Sequence, residues 1–278
     1  MLNISNLLKF YRVRDWIHLI GITLLGFVYV TCIPLDTYAL FNVVLISALY
    51  LAFGYSSNSV FEEHKMNNKS TYLLILSFFP ALLLIPIAYV HSIRLLAILM
   101  IGVFLFIVYS APLVIMKSRP ILELFVNSSL FMVLFLVGIF LGGGTLTDST
   151  LMFSIFVLIL IIPFQLIQEL KDLEQDRSND LTTTGVYTSI SGIKAMMISS
   201  IVASMLLSMV IPMPYQRLKG FSVLTVLLCV FLSFFTITLR VDDPTQYKRY
   251  RVLMRLTAIV YGTFLFLLFI ITPEKYCT

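Results

Sequence analysis

Glu169, Asp172 and Asp176 stand at i, i+3 and i+7, directly after the uncharged run Leu151–Leu166. On a helix that spacing lines three carboxylates along one face. Five of the 14 acidic residues fall between Gln168 and Asp180, in a chain where only 12% of residues are charged. Like charges stacked this way repel, so the pattern calls for a cation or a basic partner between them. A hard divalent ion such as Mg2+ takes oxygen ligands, keeps several waters and commonly shares itself with phosphate oxygens. The residues thus point to a metal–diphosphate site at the end of a membrane helix. The plain alternative is a solvated segment whose charges do no more than stop transfer.

A second polar cluster runs from Tyr55 to Lys69 and includes Asn58, Ser59, Glu62, Lys65 and Met66. An offset of 110 lays Ser59 on Glu169, Glu62 on Asp172 and Met66 on Asp176. Two polar helix ends so related hint at an internal duplication. Between them, Tyr109-Ser110-Ala111-Pro112 precedes Lys117 and Arg119. Pro112 lacks a backbone donor, so a helix kink or end is expected near Tyr109. Lys117 and Arg119 are placed to meet an anionic group at the interface or to snorkel there. Ser178 to Ser189, rich in Thr and containing Gly185, has the composition of a mobile cap over a cytoplasmic cavity.

These residues must be carried by membrane helices. The chain of 278 residues is 59% hydrophobic with a mean hydropathy of +0.99, and a bilayer crossing takes ~20 apolar residues. Nine spans are expected, at roughly 16–34, 38–57, 71–91, 94–116, 121–143, 150–168, 190–212, 220–239 and 253–272. The fold class is therefore all-α, a polytopic bundle around a cavity opening near the cytoplasmic side. Residues 1–15 form an interfacial segment, with Leu2, Ile4, Leu7, Leu8 and Tyr11 beside Lys9, Arg12 and Arg14. Residues 16–278 form one transmembrane domain, with polar motif loops at about 55–70 and 168–189.

With the N-terminus inside, the 19 basic residues fall on the inner side except Arg94, Arg217, Lys219 and Lys275. Both polar clusters then face the cytoplasm, in a plasma or inner membrane. The net charge of +5 is accounted for by this bias and requires no nucleic acid. No short apolar segment near the N-terminus ends in a small-residue cleavage site, so no signal peptide is expected. Cys32, Cys229 and Cys277 form neither a close pair nor a metal-like cluster.

In this order and topology the sequence resembles the UbiA superfamily of intramembrane prenyltransferases. The family's second motif, Asp-x-x-Asp-x-x-x-Asp, is matched by Glu169, Asp172 and Asp176, followed by Arg177 and Asp180. Its middle Tyr-Ser element with a following Lys is matched by Tyr109, Ser110 and Lys117. Its first motif, Asn-Asp-x-x-Asp-x-x-x-Asp, is degraded. Asn58 is kept, Ser59 and Glu62 replace the first two Asp, and Met66 replaces the third. Asn67 or Asn68 would supply an oxygen there instead, and Lys69 would stand in for the absent Arg.

The resemblance implies a Mg2+-dependent transferase of an alkyl group, moving a prenyl chain from an isoprenyl diphosphate to a small acceptor. The family's acceptors include hydroxybenzoates, naphthoates, homogentisate, porphyrins and glycerol derivatives. Asn58, Glu62, Glu169, Asp172 and Asp176 are the metal-site candidates. Asn58, Lys69, Lys117 and Arg177 are the diphosphate candidates, by charge-assisted hydrogen bonds. The aromatic face of Tyr109 or Phe61 is available to an allylic cation, although core packing explains such residues equally well. The tail would lie among the apolar helices, in contact with membrane lipid. Two alternatives share the fold: a terpene cyclase that ionises the diphosphate without an acceptor, and a non-catalytic lipid-binding or transport protein.

Overall fold

The computed structural model describes residues 4–31, 36–67, 71–110, 116–178, 181–239 and 244–272. They form twelve α-helices: α1 (Ile4–Phe10), α2 (Val13–Trp16), α3 (Ile20–Val30), α4 (Thr37–Asn67), α5 (Thr71–His91), α6 (Ile93–Ser110), α7 (Leu122–Leu141), α8 (Asp148–Ser178), α9 (Thr184–Tyr187), α10 (Ile190–Val210), α11 (Tyr215–Thr238) and α12 (Pro244–Ile271). Short 3-10 turns lie at Ile17–Leu19 and Met116–Ser118. Among the described residues, nine helical stretches are long and apolar enough to cross a membrane. Large apolar side chains such as Phe41, Phe79, Phe104 and Phe234 are exposed. Lipid is the medium that tolerates such a surface, and a closed helix satisfies its own backbone there. The chain is an all-α polytopic membrane protein.

Three boundaries differ from the hydropathy reading. The expected first span is broken by the turn at Ile17–Leu19 and ends at Val30. The second and sixth do not stop at 57 and 168, because α4 continues to Asn67 and α8 to Ser178. Glu, Gln, Lys and Leu are good helix formers, so loss of hydropathy does not end a helix. The fourth, expected to reach 116, is described as helix to Ser110, and residues 111–115 lie outside the described residues.

Helix ends are closed by their own side chains. Asp36 accepts from the N–H groups of Tyr38 and Ala39 at the start of α4 (3.1 and 3.3 Å). Ser92 caps α6 through Leu95 N–H, and Ser189 caps α10 through Gly192 N–H. After α7, Gly143 adopts φ 76° while Gly144 N–H reaches the Ile139 carbonyl and Gly143 N–H that of Phe140. That is a Schellman closure, which a glycine makes without steric cost.

Two compact units divide the chain. The first comprises Met1–Met116 and Val133–Gly144. In it α3 and the second half of α7 meet backbone to backbone. A Cβ on Gly26 would lie 2.1 Å from the Phe135 carbonyl oxygen, and one on Gly138 would lie 2.0 Å from that of Thr23. Small residues at a helix crossing allow this approach in lipid, where packing rather than water drives association. Tyr50, Phe53 and Phe106 stack between α4 and α6, with centroids 5.0 to 6.0 Å apart.

The second unit comprises Lys117–Met132 and Thr145–Thr278. Its core is a ring cluster of Phe153 and Phe156 from α8, Phe221 from α11 and Phe269 from α12, with centroid separations of 5.0 to 5.9 Å. Arg217, expected on the outer side, is only 1% exposed. Its guanidinium donates to the carbonyls of Phe269 (3.2 Å) and Thr272 and stands over the Phe269 ring at 5.5 Å. A cation on the last carbonyls of α12 complements the helix dipole.

Replacing Gly138 with Val is expected to destabilise the protein by about 1–3 kcal/mol, the usual range for overpacking. Thermal unfolding in detergent measures it, and an unshifted transition would contradict the contact between α3 and α7.

Candidate functional site

Each unit presents one polar helix end. In the first, α4 brings Asn58 and Ser59 to its last turns while α6 ends at Tyr109 and Ser110. Ser110 Oγ donates to Asn58 Oδ1 at 2.9 Å, so the first motif and the middle Tyr-Ser element meet across 52 residues of sequence. Ser59 Oγ donates to the Tyr55 carbonyl at 3.1 Å and accepts from Arg12 Nη1 at 3.4 Å. The Arg12 guanidinium lies 5.6 Å from the Tyr55 ring centroid and pairs with Asp15 at 2.9 Å. Arg12 itself has φ 52°, in the left-handed region. Tyr11 donates to the Leu76 carbonyl (3.1 Å) and Trp16 Nε1 to that of Tyr11 (2.6 Å), which fastens the N-terminal segment to α5.

A positively charged side chain therefore stands at Ser59, where the resembling motif carries a carboxylate. Nothing in the spacing of Arg12 announces this, because it depends on how α2 folds back on α4. The side chains of Glu62, Met66 and Lys117, and Lys69 altogether, lie outside the described residues.

In the second unit, α8 carries the carboxylate ladder on its last turns. Asp172, half-buried, accepts from the Gln168 side chain, and its other oxygen lies 2.6 Å from Lys171 Nζ. Asp176 is 7% exposed and accepts from Thr183 Oγ1 at 3.4 Å. Arg177 is exposed. Glu169 faces a different partner, accepting from Gly185 N–H at 2.7 Å.

Residues 181–189 therefore do not lie free of the helix as a loose cap. Leu181 N–H lies on the Asp176 carbonyl at 3.0 Å, and Thr184–Tyr187 form the single turn α9. Glu123, in the first turn of α7, is the residue sequence reasoning missed. It is 2% exposed and accepts from Thr184 N–H. Its carboxyl also lies beside that of Glu169, close enough for the two to interact. Thr184 Oγ1 in turn accepts from Ile121 N–H at 2.8 Å.

Ile121 has φ 67°, a conformation that costs a β-branched residue of order 1–3 kcal/mol and is held only by its surroundings. A lone acid at the start of an apolar helix reads as a first-turn residue, so only its burial reveals it. Asn127 and Gln165, bonded at 2.7 Å, tie α7 to α8 above this cluster. Among the described residues, no three acidic, His or Cys side chains gather closely enough to form a metal cage by themselves.

A shallow groove of about 560 Å3 runs between Ile155 and Ile159 of α8 and Leu206, Leu207 and Val210 of α10. It offers apolar contact and no chemistry.

The UbiA prenyltransferase family profile matches residues 63–259, and the chain belongs to that family. A UbiA homologue from Archaeoglobus fulgidus bound to Cd2+ superposes with a TM-score of 0.75 at 16% identity, covering 95% of this chain and 98% of that one. A UbiA homologue from the same organism bound to GPP and Mg2+ gives 0.74 at 16%, covering 94% and 99%. A digeranylgeranylglyceryl phosphate synthase structure gives 0.71 at 14%, covering 97% and 99%. At these identities the likeness is one of fold. No match is found among curated protein sequences.

The Asn58–Ser110 bond is expected to couple the two residues by about 0.5–1.5 kcal/mol in a double-mutant cycle with Asn58→Ala and Ser110→Ala. The cycle is read from unfolding in detergent. Strict additivity of the two substitutions would show that the bond does not form.

Proposed function

We propose that the protein is a prenyltransferase that releases diphosphate from an isoprenyl diphosphate and passes the prenyl group to a small acceptor. The observation that carries this reading is the pair Asp172 and Asp176, one helical turn apart at the end of a membrane-spanning helix, in a chain of the UbiA prenyltransferase family. Two solved structures of a UbiA homologue from Archaeoglobus fulgidus, of the same fold, are bound to GPP and Mg2+ and to DMAPP and Mg2+, which supports the substrate class and the ion.

The donor chemistry at α8 fits Mg2+, because Asp172 and Asp176 offer hard oxygen ligands. Glu169 is the weaker candidate, since one of its oxygens already serves Gly185 N–H. Asn58 and Glu62 are the oxygen candidates of α4 in the first unit. When bound, Mg2+ supplies charge neutralisation of the departing diphosphate.

The chain's own groups do the rest. Lys117, Arg177 and Lys69 hold the diphosphate oxygens by charge-assisted hydrogen bonds. Ser110 donates to the side-chain carbonyl of Asn58 and so fixes the orientation of that amide. Tyr109, on the same turn of α6, presents a π-face to positive charge on the allylic carbon. The apolar helices take the prenyl tail and keep water from the cation. The polar ends face the cytoplasm, a reading supported by the bias of basic residues. In a cysteine-free background, Glu174→Cys should react with an impermeant maleimide in inside-out vesicles, and reaction only in right-side-out vesicles would reverse the topology.

Pyrophosphate release from the purified protein, with and without Mg2+ and an aromatic acceptor mixture, tests the activity. Asp172→Ala with Asp176→Ala is expected to lower release by about 10²-fold or more, the scale for losing groups that stabilise developing charge. Undiminished turnover in that double variant would sink the proposal. Release that needs no acceptor would indicate the cyclase reaction instead.

A further inference from the structure

We propose that Glu123 is a positioning residue, which with Glu169 latches the Thr183–Gly185 turn across the end of α8 and so keeps Asp176 in place. Nothing about the reaction itself requires a carboxyl at the start of α7, and burial there is costly unless the group is hydrogen-bonded. Glu123 is 2% exposed, and Thr183 and Thr184 are 1% and 0% exposed. The polar groups of this cluster are paired with one another. Glu123 accepts Thr184 N–H, Glu169 accepts Gly185 N–H, Thr184 Oγ1 accepts Ile121 N–H, and Thr183 Oγ1 donates to Asp176. A satisfied buried network of this kind specifies one arrangement of the segments it joins.

An independent observation comes from Gly185. A Cβ there would lie 3.2 Å from Glu169 Cβ and 3.4 Å from the Glu169 backbone carbonyl, so the turn sits directly on α8. The latch thus has two parts, a pair of acceptors beneath the turn and a residue without a side chain where the turn touches the helix. Through Thr183 it bears on Asp176, one of the two carboxylates assigned to the metal–diphosphate site. Its catalytic consequence rests on the function proposed above, whereas its structural content does not.

Hydrogen–deuterium exchange on the full-length protein in detergent tests the latch without need of turnover. Glu123→Ala is expected to speed exchange in peptides over 181–188 by about tenfold, leaving α10 and α11 unchanged. Glu123→Gln should keep the protection, because its amide oxygen accepts from Thr184 and its amide N–H donates to Glu169. Gly185→Val, which wedges the turn off α8 while keeping both Glu123 and Glu169, should reproduce the local loss and serves if Glu123→Ala does not fold. Unchanged protection in these variants, or loss spread evenly over α8, α10 and α11, would overturn the latch. Where the wild type turns over, Glu123→Ala should raise KM for the prenyl diphosphate about tenfold, the scale for losing support behind a ligand residue, with Glu123→Gln restoring it. An unchanged KM beside lost protection would overturn the link to Asp176, whereas absence of wild-type turnover bears on the proposed function alone.

Discussion

The need to satisfy polar groups in apolar surroundings governs this molecule, and it is most acute at the end of α8. Three carboxylates there share one helix face. Each is stabilised separately. Asp172 has Gln168 and Lys171, Asp176 has Thr183, and Glu169 has the Gly185 backbone and Glu123. The returning connection is therefore part of the site, because its N–H groups are what allow a buried acid to stay on the helix.

The first unit solves the corresponding problem differently. Where the resembling motif would place an acid, Ser59 turns its hydroxyl to the Tyr55 carbonyl and receives Arg12. The charge at this end thus comes from an arginine of the N-terminal segment, and Asn58 is oriented by Ser110. The two polar helix ends are related in sequence by a simple offset, yet among the described residues one carries paired carboxylates and the other neutral oxygens and a guanidinium.

Both ends depend on close helix packing elsewhere. In the first unit Gly26 and Gly138 let α3 and α7 touch through their backbones, and in the second four phenylalanines lock α8 to α11 and α12. Arg217 closes the far end of α12 by meeting carbonyls that a helix in lipid leaves unpaired.

Hydropathy alone determined the spans, since a crossing helix needs a long apolar run and each run is local. Spacing alone placed Glu169, Asp172 and Asp176 on one face, because helical periodicity is also local. Helix ends were illegible where polar residues are themselves good helix formers, as in Tyr55–Asn67 and Gln168–Ser178. What only the tertiary structure decided are the contacts between residues far apart in the chain: Ser110 on Asn58, Arg12 on Ser59, and Glu123 beneath Thr184. These are single hydrogen bonds made by ordinary residue types, so they leave no periodic or compositional mark. Their partners are set by how the helices pack, which is where the information in this chain becomes three-dimensional.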